Sequence, residues 1–301
     1  MRFIVKVFVC SLVVLVTFSG SHLLRGQGFV FSNGFESPLY LNPAFAGTAD
    51  APQLATQFRR PTTGVGFFHY VASFDMPVEK LRGGIGFSLS STIMEEVRFD
   101  NLLNGFYAWH WNIGTDLLVS PAVNIGFGYN HLNNENLSLG GVGEGRVSAI
   151  YFNVGGGLMM RYRNLTTGFS IDHLNTPDVG YNGISETMPQ RLTVHGVVEH
   201  ALMEQLHILP GIIYQSHWDV QHVIPSVVLD FMGFRAGING VYERNRRGSI
   251  DTNMYGVCFL VGAHLQQFMI GYSYTTGVSE GALPNMTAHE LAITYRFSGQ
   301  D

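Results

Sequence analysis

Segments in which apolar residues alternate with small or polar ones recur roughly every 15 to 25 residues from about Gln53 to Phe297. The clearest runs from Leu117 to Tyr129, with Leu117, Val119, Val123, Ile125, Phe127 and Tyr129 on one face and Ser120, Ala122, Asn124, Gly126 and Gly128 on the other. The split returns at Ile85, Phe87 and Leu89 against Gly84, Gly86 and Ser88, and in the last segment at Leu291, Ile293, Tyr295 and Phe297 against Ala292, Thr294 and Arg296. Successive side chains of a strand point to opposite faces, so each segment has one greasy side and one polar side. In lipid every backbone group must also pair within the protein, and closed barrels of strands meet that demand. The pattern predicts an all-β chain: a transmembrane antiparallel β-barrel of about fourteen strands with a short N-terminal plug-like segment. Residues 99–113 and 190–202 each read as one long strand.

Composition bears this out. Charged residues make up only 13% of the 301 residues, where a soluble domain carries about a quarter. Beyond the N-terminus no apolar run is long enough for a helical span. Low charge without such a run is what a barrel gives, because lumen-facing residues dilute each apolar face. The 36 glycines suit close strand contacts, and the 13% aromatics suit girdles at the two interfaces.

Three regions follow. Residues 1–26 carry Arg2 and Lys6, then an apolar run from Val7 to Phe18, and read as a secretory signal peptide. The alternative is an anchoring helix, for which the run is shorter than the roughly 20 residues a span needs. Residues 27–52 form an N-terminal segment and residues 53–301 the barrel. After removal of the signal the net charge is about −8, which disfavours nucleic acid as a partner. Cys258 is then the one remaining cysteine, a small packed side chain rather than a reactive thiol.

Glycine, asparagine and proline mark four long connections, Asn133–Gly145, Asn175–Pro189, Glu243–Asp251 and Gly277–Ala288. They alternate with tight turns, which places all four at one end of the barrel, expected to be the cell surface. Nothing points to catalysis: the histidines are scattered, and G-x-S-x-G and phosphate-loop patterns are missing. No cofactor or metal is expected. The pairs His195/His200 and His217/His222 are five apart and would face opposite sides of a strand, which argues against shared metal ligation. Arg59, Arg60, Arg161, Arg163, Arg235 and Arg296, with Glu199 and Asp230, lie where they can face the lumen. A lumen charge network accounts for them more simply than a selectivity filter.

The N-terminal segment contains Ser37-Pro38-Leu39-Tyr40-Leu41-Asn42-Pro43-Ala44-Phe45-Ala46-Gly47-Thr48. Two prolines bar it from a central strand, and Asn42 is placed to hydrogen-bond its own backbone or cap a turn. Leu39, Tyr40, Leu41 and Phe45 would pack it against or inside the barrel. The stretch resembles the opening signature of the PorP/SprF family, with Ser37, Phe45 and Thr48 as mild departures. Gly168-Phe169-Ser170-Ile171-Asp172-His173-Leu174-Asn175-Thr176-Pro177 is similar to a second family pattern, through Gly168, Ser170, His173, Leu174 and Pro177. The resemblance implies an outer-membrane barrel of the type IX secretion system, without catalytic activity. It would anchor or assist export of a secreted adhesin or gliding-type protein bearing a C-terminal sorting domain. Its other partners would be a periplasmic peptidoglycan-binding protein and outer-membrane lipid. Pro38, Leu39, Tyr40, Leu41, Asn42, Pro43, Ala44, Phe45 and Gly47 are expected to serve either as a partner-binding stretch or as a purely structural plug. The alternative reading is a passive outer-membrane channel or small-solute transporter.

Overall fold

The structure is a computed structural model that describes residues 30–62, 67–94, 98–133, 146–180, 185–217, 219–247, 250–278 and 286–297. The predicted signal peptide therefore lies outside the described residues. Sixteen strands follow one another: β1 (Gln53–Pro61), β2 (Phe67–Val78), β3 (Gly83–Met94), β4 (Arg98–Trp109), β5 (Trp111–Ile113), β6 (Leu117–Asn133), β7 (Arg146–Tyr162) and β8 (Leu165–Asp172) form the first half. The second half is β9 (Arg191–Val198), β10 (His200–Met203), β11 (Leu206–His217), β12 (Val220–Phe231), β13 (Phe234–Arg247), β14 (Ile250–Leu265), β15 (Phe268–Gly277) and β16 (Ala288–Arg296). All neighbours are antiparallel, and β1 pairs with β16 over the full length of β1, from Gln53 opposite Arg296 to Pro61 opposite Ala288. With β9 paired to β11, the ring closes on fourteen strands.

The two extra strands are continuations of their predecessors. β4 and β5 keep one register along β6, with Ala108 opposite Ala122 and Trp111 opposite Val119. Pro121 falls in the interval between them, and a proline has no N–H to give the ladder. Likewise β9 and β10 share a register on β11, with Gly211 opposite Val197 and His200 opposite Ile208, and Pro210 falls in the gap. In each case the proline lies opposite the residue just before the break, Trp109 or Val198, which is why two single strands of the sequence reading are divided.

The wall is inverted relative to a soluble sheet. Val123, Ile125, Phe127 and Tyr129 of β6 are exposed, while Ser120, Asn124 and Asn130 on its other face are buried. Exposed Phe87 and Leu89 of β3 contrast with buried Ser88 in the same way, and exposed Leu291 with buried Glu290 of β16. No described helix is long and apolar enough to cross a membrane.

Both ends of the barrel sequence, Gln53 and Arg296, meet at one rim. The turns at that rim are tight, and Arg82, Gly114, Arg163, Met232, Gly233 and Gln266 take positive φ there. The long connections predicted at 133–145, 175–189 and 277–288 all emerge from the opposite, loop rim. The fourth, Glu243–Asp251, is corrected: β13 runs on to Arg247 and β14 starts at Ile250, with Glu243 paired to Met254 and Asn245 to Thr252. Polar residues there were read as loop, but they continue the ladder beyond the apolar band.

An exposed mid-strand position such as Ile125 faces hydrocarbon, where a basic side chain costs roughly 2 to 4 kcal/mol. Ile125→Arg is expected to lower unfolding stability by about that amount in lipid vesicles, measured by urea titration of heat-modifiable protein. An unchanged midpoint would place this face outside the bilayer.

Candidate functional site: the plug and the cavity above it

Residues 30–51 fill the lumen. Pro38 starts a single helical turn, α1 (Pro38–Leu41), and Pro43 starts a 3-10 turn through Phe45; at both places a missing N–H costs nothing. Asn42 joins the two turns in extended geometry, and its Oδ1 accepts from Ala44 N at 2.9 Å, the local cap expected from the sequence. The same side chain reaches the wall. Its Nδ2 lies 3.2 Å from Leu158 O, 3.1 Å from Phe169 O and 3.1 Å from His195 Nε2. A Cβ on Gly157 would overlap Asn42 Oδ1, and one on Gly168 would press on Nδ2 and the His195 ring. Two glycines of neighbouring strands therefore make the slot that Asn42 occupies.

Strands all around the ring hold the rest. Ser170 Oγ donates to Leu41 O at 2.9 Å and Ser120 Oγ to Ala44 O at 3.0 Å. Gly47, at φ +65°, donates its N–H to Asp75 Oδ2 at 2.8 Å and rests on Gly84, where any Cβ would strike Ala46 and Gly47. Nearer the loop rim the Glu290 carboxylate accepts the N–H groups of Ser32 and Asn33 and pairs with Arg59, while Asn239 Nδ2 donates to Ser32 O at 2.7 Å. Toward the terminal rim Arg235 pairs with Glu36 at 2.9 Å. Leu41 packs on Ile213 and Ile224, and Leu39 with Ala44 and Ala46 on Phe106, Ala122 and Met159. Phe45 lies against the His195 ring at 5.2 Å.

The mid-barrel motif shapes the loop between β8 and β9. His173, at φ +57°, turns the chain, and its Nδ1 meets Asn153 Oδ1 at 2.6 Å. Leu174 N–H donates to Val154 O at 2.8 Å. The Asn175 amide then extends the sheet, donating to Phe152 O at 2.6 Å and accepting from Val154 N at 3.1 Å. Pro177 O accepts from Met188 N at 2.9 Å, and Asp178 accepts from Gly180 N, Ser185 Oγ and Glu186 N, which together hold its carboxyl below the usual range. Desolvation beneath this loop pushes the His173 imidazole down to about 4.

The two motifs meet through Arg191. Its guanidinium pairs with Asp172, donates to Tyr40 O at 3.1 Å and lies over the Tyr40 ring at 4.1 Å. Burial raises the Tyr40 phenol above its ordinary value against the opposing pull of Arg191. Above Tyr40 and Leu39 a cavity of about 160 Å³ opens toward the loop rim, bordered by Arg98, His173 and Glu186. A second, of about 230 Å³, lies below the plug between Glu36, Arg235, His264 and Arg296.

Of the charges expected in the lumen, Arg59 and Arg235 are there, and Asp230 lies 3.7 Å from Arg235. Arg60 and Glu199 are exposed, and Arg163 sits in a turn pairing Asp116 at 3.0 Å. The reading of His217 and His222 as opposite faces of one strand is corrected: a hairpin separates them, so both are buried on the lumen side, in β11 and β12. No cluster of metal-ligating side chains occurs among the described residues. Glu290 and Arg191 escaped the sequence reading. Their signal was the alternation itself, since Arg191 shares a face with Thr193 and His195, and Glu290 with Ala292.

The model of the type IX secretion system membrane protein PorP/SprF family matches residues 25–295. The chain belongs to the PorP/SprF family. No protein of curated function matches it. Solved structures similar to this PorP/SprF chain include the CymD monoaromatic hydrocarbon channel, at 10% identity and TM-score 0.56 over 90% of this chain and 95% of that one. A Pseudomonas aeruginosa FadL homologue matches at 11% identity and TM-score 0.53, over 85% and 93%. The TodX monoaromatic hydrocarbon channel deltaS2 mutant matches at 12% and 0.52, over 87% and 94%. At such identities they show the fold alone, an outer-membrane barrel, and with the family they place this chain in the outer membrane.

Two outcomes test the site. Asn42→Ala strips a buried network whose unpartnered atoms each cost about 1 to 3 kcal/mol, so the plug is expected to become cleavable by protease in a barrel that stays heat-modifiable; equal resistance would remove Asn42 from the plug's anchorage. For His173 the unfolded imidazole, at its ordinary 6.5, binds a proton that the folded ring refuses until about pH 4. Stability from burying it is complete above about pH 6.5 and lost as pH falls toward 4. Cleavage in the 173–190 loop is expected to rise between pH 7.5 and 5, and His173→Asn to flatten that rise.

Proposed function

We propose that the protein is an outer-membrane anchor or export assistant for a secreted surface protein of the type IX system, without catalytic activity of its own. One observation carries the reading: the family signature, Leu39 to Gly47, is spent on closing the lumen. A lumen filled and hydrogen-bonded on all sides is unsuited to passive solute flow and suited to a rigid platform. The long connections at the loop rim then face outside, in the usual arrangement of bacterial barrels, and meet the partner's sorting domain. The short turns and both barrel termini face the periplasm, where a peptidoglycan-binding protein would engage them.

The second reading, a channel, draws on the cavities above and below the plug and on two similar barrels being monoaromatic hydrocarbon channels. In planar bilayers the intact protein is expected to conduct negligibly, and a variant lacking residues 30–50 to conduct strongly. Tagged protein extracted in mild detergent is expected to carry a large secreted protein with it. Steady conductance by the intact chain together with purification as a lone barrel would decide for the channel.

A further inference from the structure

At β7 the barrel wall carries a strand that outlasts its neighbour. β6 pairs with all of β7, from Leu117 opposite Tyr162 to Asn133 opposite Arg146, but on its other side β7 is covered by β8 only from Gly156 to Tyr162. Past Asp172 the chain turns at His173, and its loop reaches over the lumen to β4 through the Glu186–Arg98 pair. Two residues of that loop carry the ladder a little further: Leu174 N–H donates to Val154 O, and the Asn175 amide accepts from Val154 N and donates to Phe152 O. There the cover ends. Backbone groups point to alternate sides along a strand, so Ile150 and Ser148 turn their N–H and C=O the same way as Val154 and Phe152. Among the described residues none pairs with them, and Ile150 is 77% exposed.

The cover ends where the membrane does. Ile150 lies opposite Tyr129, and Trp111, near the terminal rim, lies opposite Val119. From Val119 to Tyr129 the chain advances ten residues. On a strand tilted by about 40°, with a rise of about 3.3 Å per residue, this climbs roughly 25 Å, the height of the apolar band. Unpaired backbone is costly in hydrocarbon and tolerated in water. Phe152 and Val154 are therefore capped, while Ile150 and Ser148 can stay open. An open edge in water is nonetheless a template for another strand, and proteins guard such edges with lysine, proline or a bulge. Val147-Ser148-Ala149-Ile150-Tyr151-Phe152 has neither lysine nor proline, is rich in strand-forming residues, and keeps an unbroken register with β6.

Geometry narrows the choice of occupant. Two copies of this chain in one membrane are related by an axis along the membrane normal, so their β7 strands descend together and cross at about twice the tilt, roughly 80°. A ladder needs strands close to aligned, which rules out self-pairing. Lipid has no backbone to offer. The strand that fits comes from a protein outside the cell and lies above Asn175 in the place that β8 vacates.

We propose that the outer edge of β7, centred on Ser148 and Ile150, adds an extended strand of the secreted partner to the barrel wall. The inference rests on the anchoring reading and supplies the contact which that reading leaves open. Main-chain hydrogen bonds hold the added strand, and Ile150 favours an apolar side chain beside it on the outer face.

The test compares the full-length protein alone in mild detergent with its complex with the secreted protein that co-purifies, by hydrogen exchange and mass spectrometry. Amides of residues 147–151 on the free edge are expected to exchange at least tenfold more slowly in the complex, with β6 unchanged. Ser148→Pro removes an outward N–H without touching the ladder to β6, and is expected to lower partner recovery at least tenfold in a barrel that stays heat-modifiable; Ser148→Ala is expected to leave recovery as in wild type. If Ser148→Pro fails to fold, the exchange comparison on wild type decides alone. Partner recovered with the edge still exchanging freely would overturn strand addition and leave the anchoring reading standing. Slow exchange already present in the protein alone would assign the edge to residues of this chain and overturn the proposal. Recovery of a lone barrel would overturn the anchoring reading, and the partner's strand with it.

Discussion

A backbone N–H or C=O left unpaired in hydrocarbon costs several kcal/mol, and the whole architecture answers to that one demand. It forbids a free edge, so β1 must find β16. It requires the outer surface to be apolar, so polar side chains are driven into the lumen, where buried serines, asparagines and charged pairs accumulate. A lumen so lined is an unusual interior: it offers hydrogen-bonding side chains in every direction, and whatever fills it must present matching backbone groups.

The N-terminal segment does so because its prolines keep it from pairing as a strand. Freed from ladder bonding, the carbonyls of Ser32, Asn33, Tyr40, Leu41, Ala44 and Ala46 are left for wall side chains, and each receives one. Some plug side chains also reach outward, as Glu36 does to Arg235, but Asn42 needs two glycines to do it. The tightest sequence constraints in this region are therefore steric: small residues where two backbones touch, as at Gly47 and Gly84.

Strand positions were legible because alternation is a local signal that survives in every segment, and even the breaks at His110 and Glu199 trace to prolines visible in the chain. The extent of β13 and β14 was not, because Arg244, Asn245 and Asp251 look like loop residues although they extend the ladder past the apolar band. The site was half legible. Asn42, Tyr40 and His173 stood out from motif and turn chemistry, whereas their partners are set by barrel curvature and register: Arg191 lies 151 residues from Tyr40, and Glu290 lies 258 from Ser32. Nothing local in the chain reports such a meeting.

The grip of Glu290 on Ser32 and Asn33 has a further consequence for how the barrel is made. Glu290 belongs to the last strand, Arg59 to the first, and the plug runs directly into that first strand. The segment therefore works as an inner stitch across the seam where the ring closes. A barrel that closes with this stretch already inside gains the Glu290 contacts and the β1–β16 pairing in one step, which ties the plug to the closing of the wall as well as to the completed lumen.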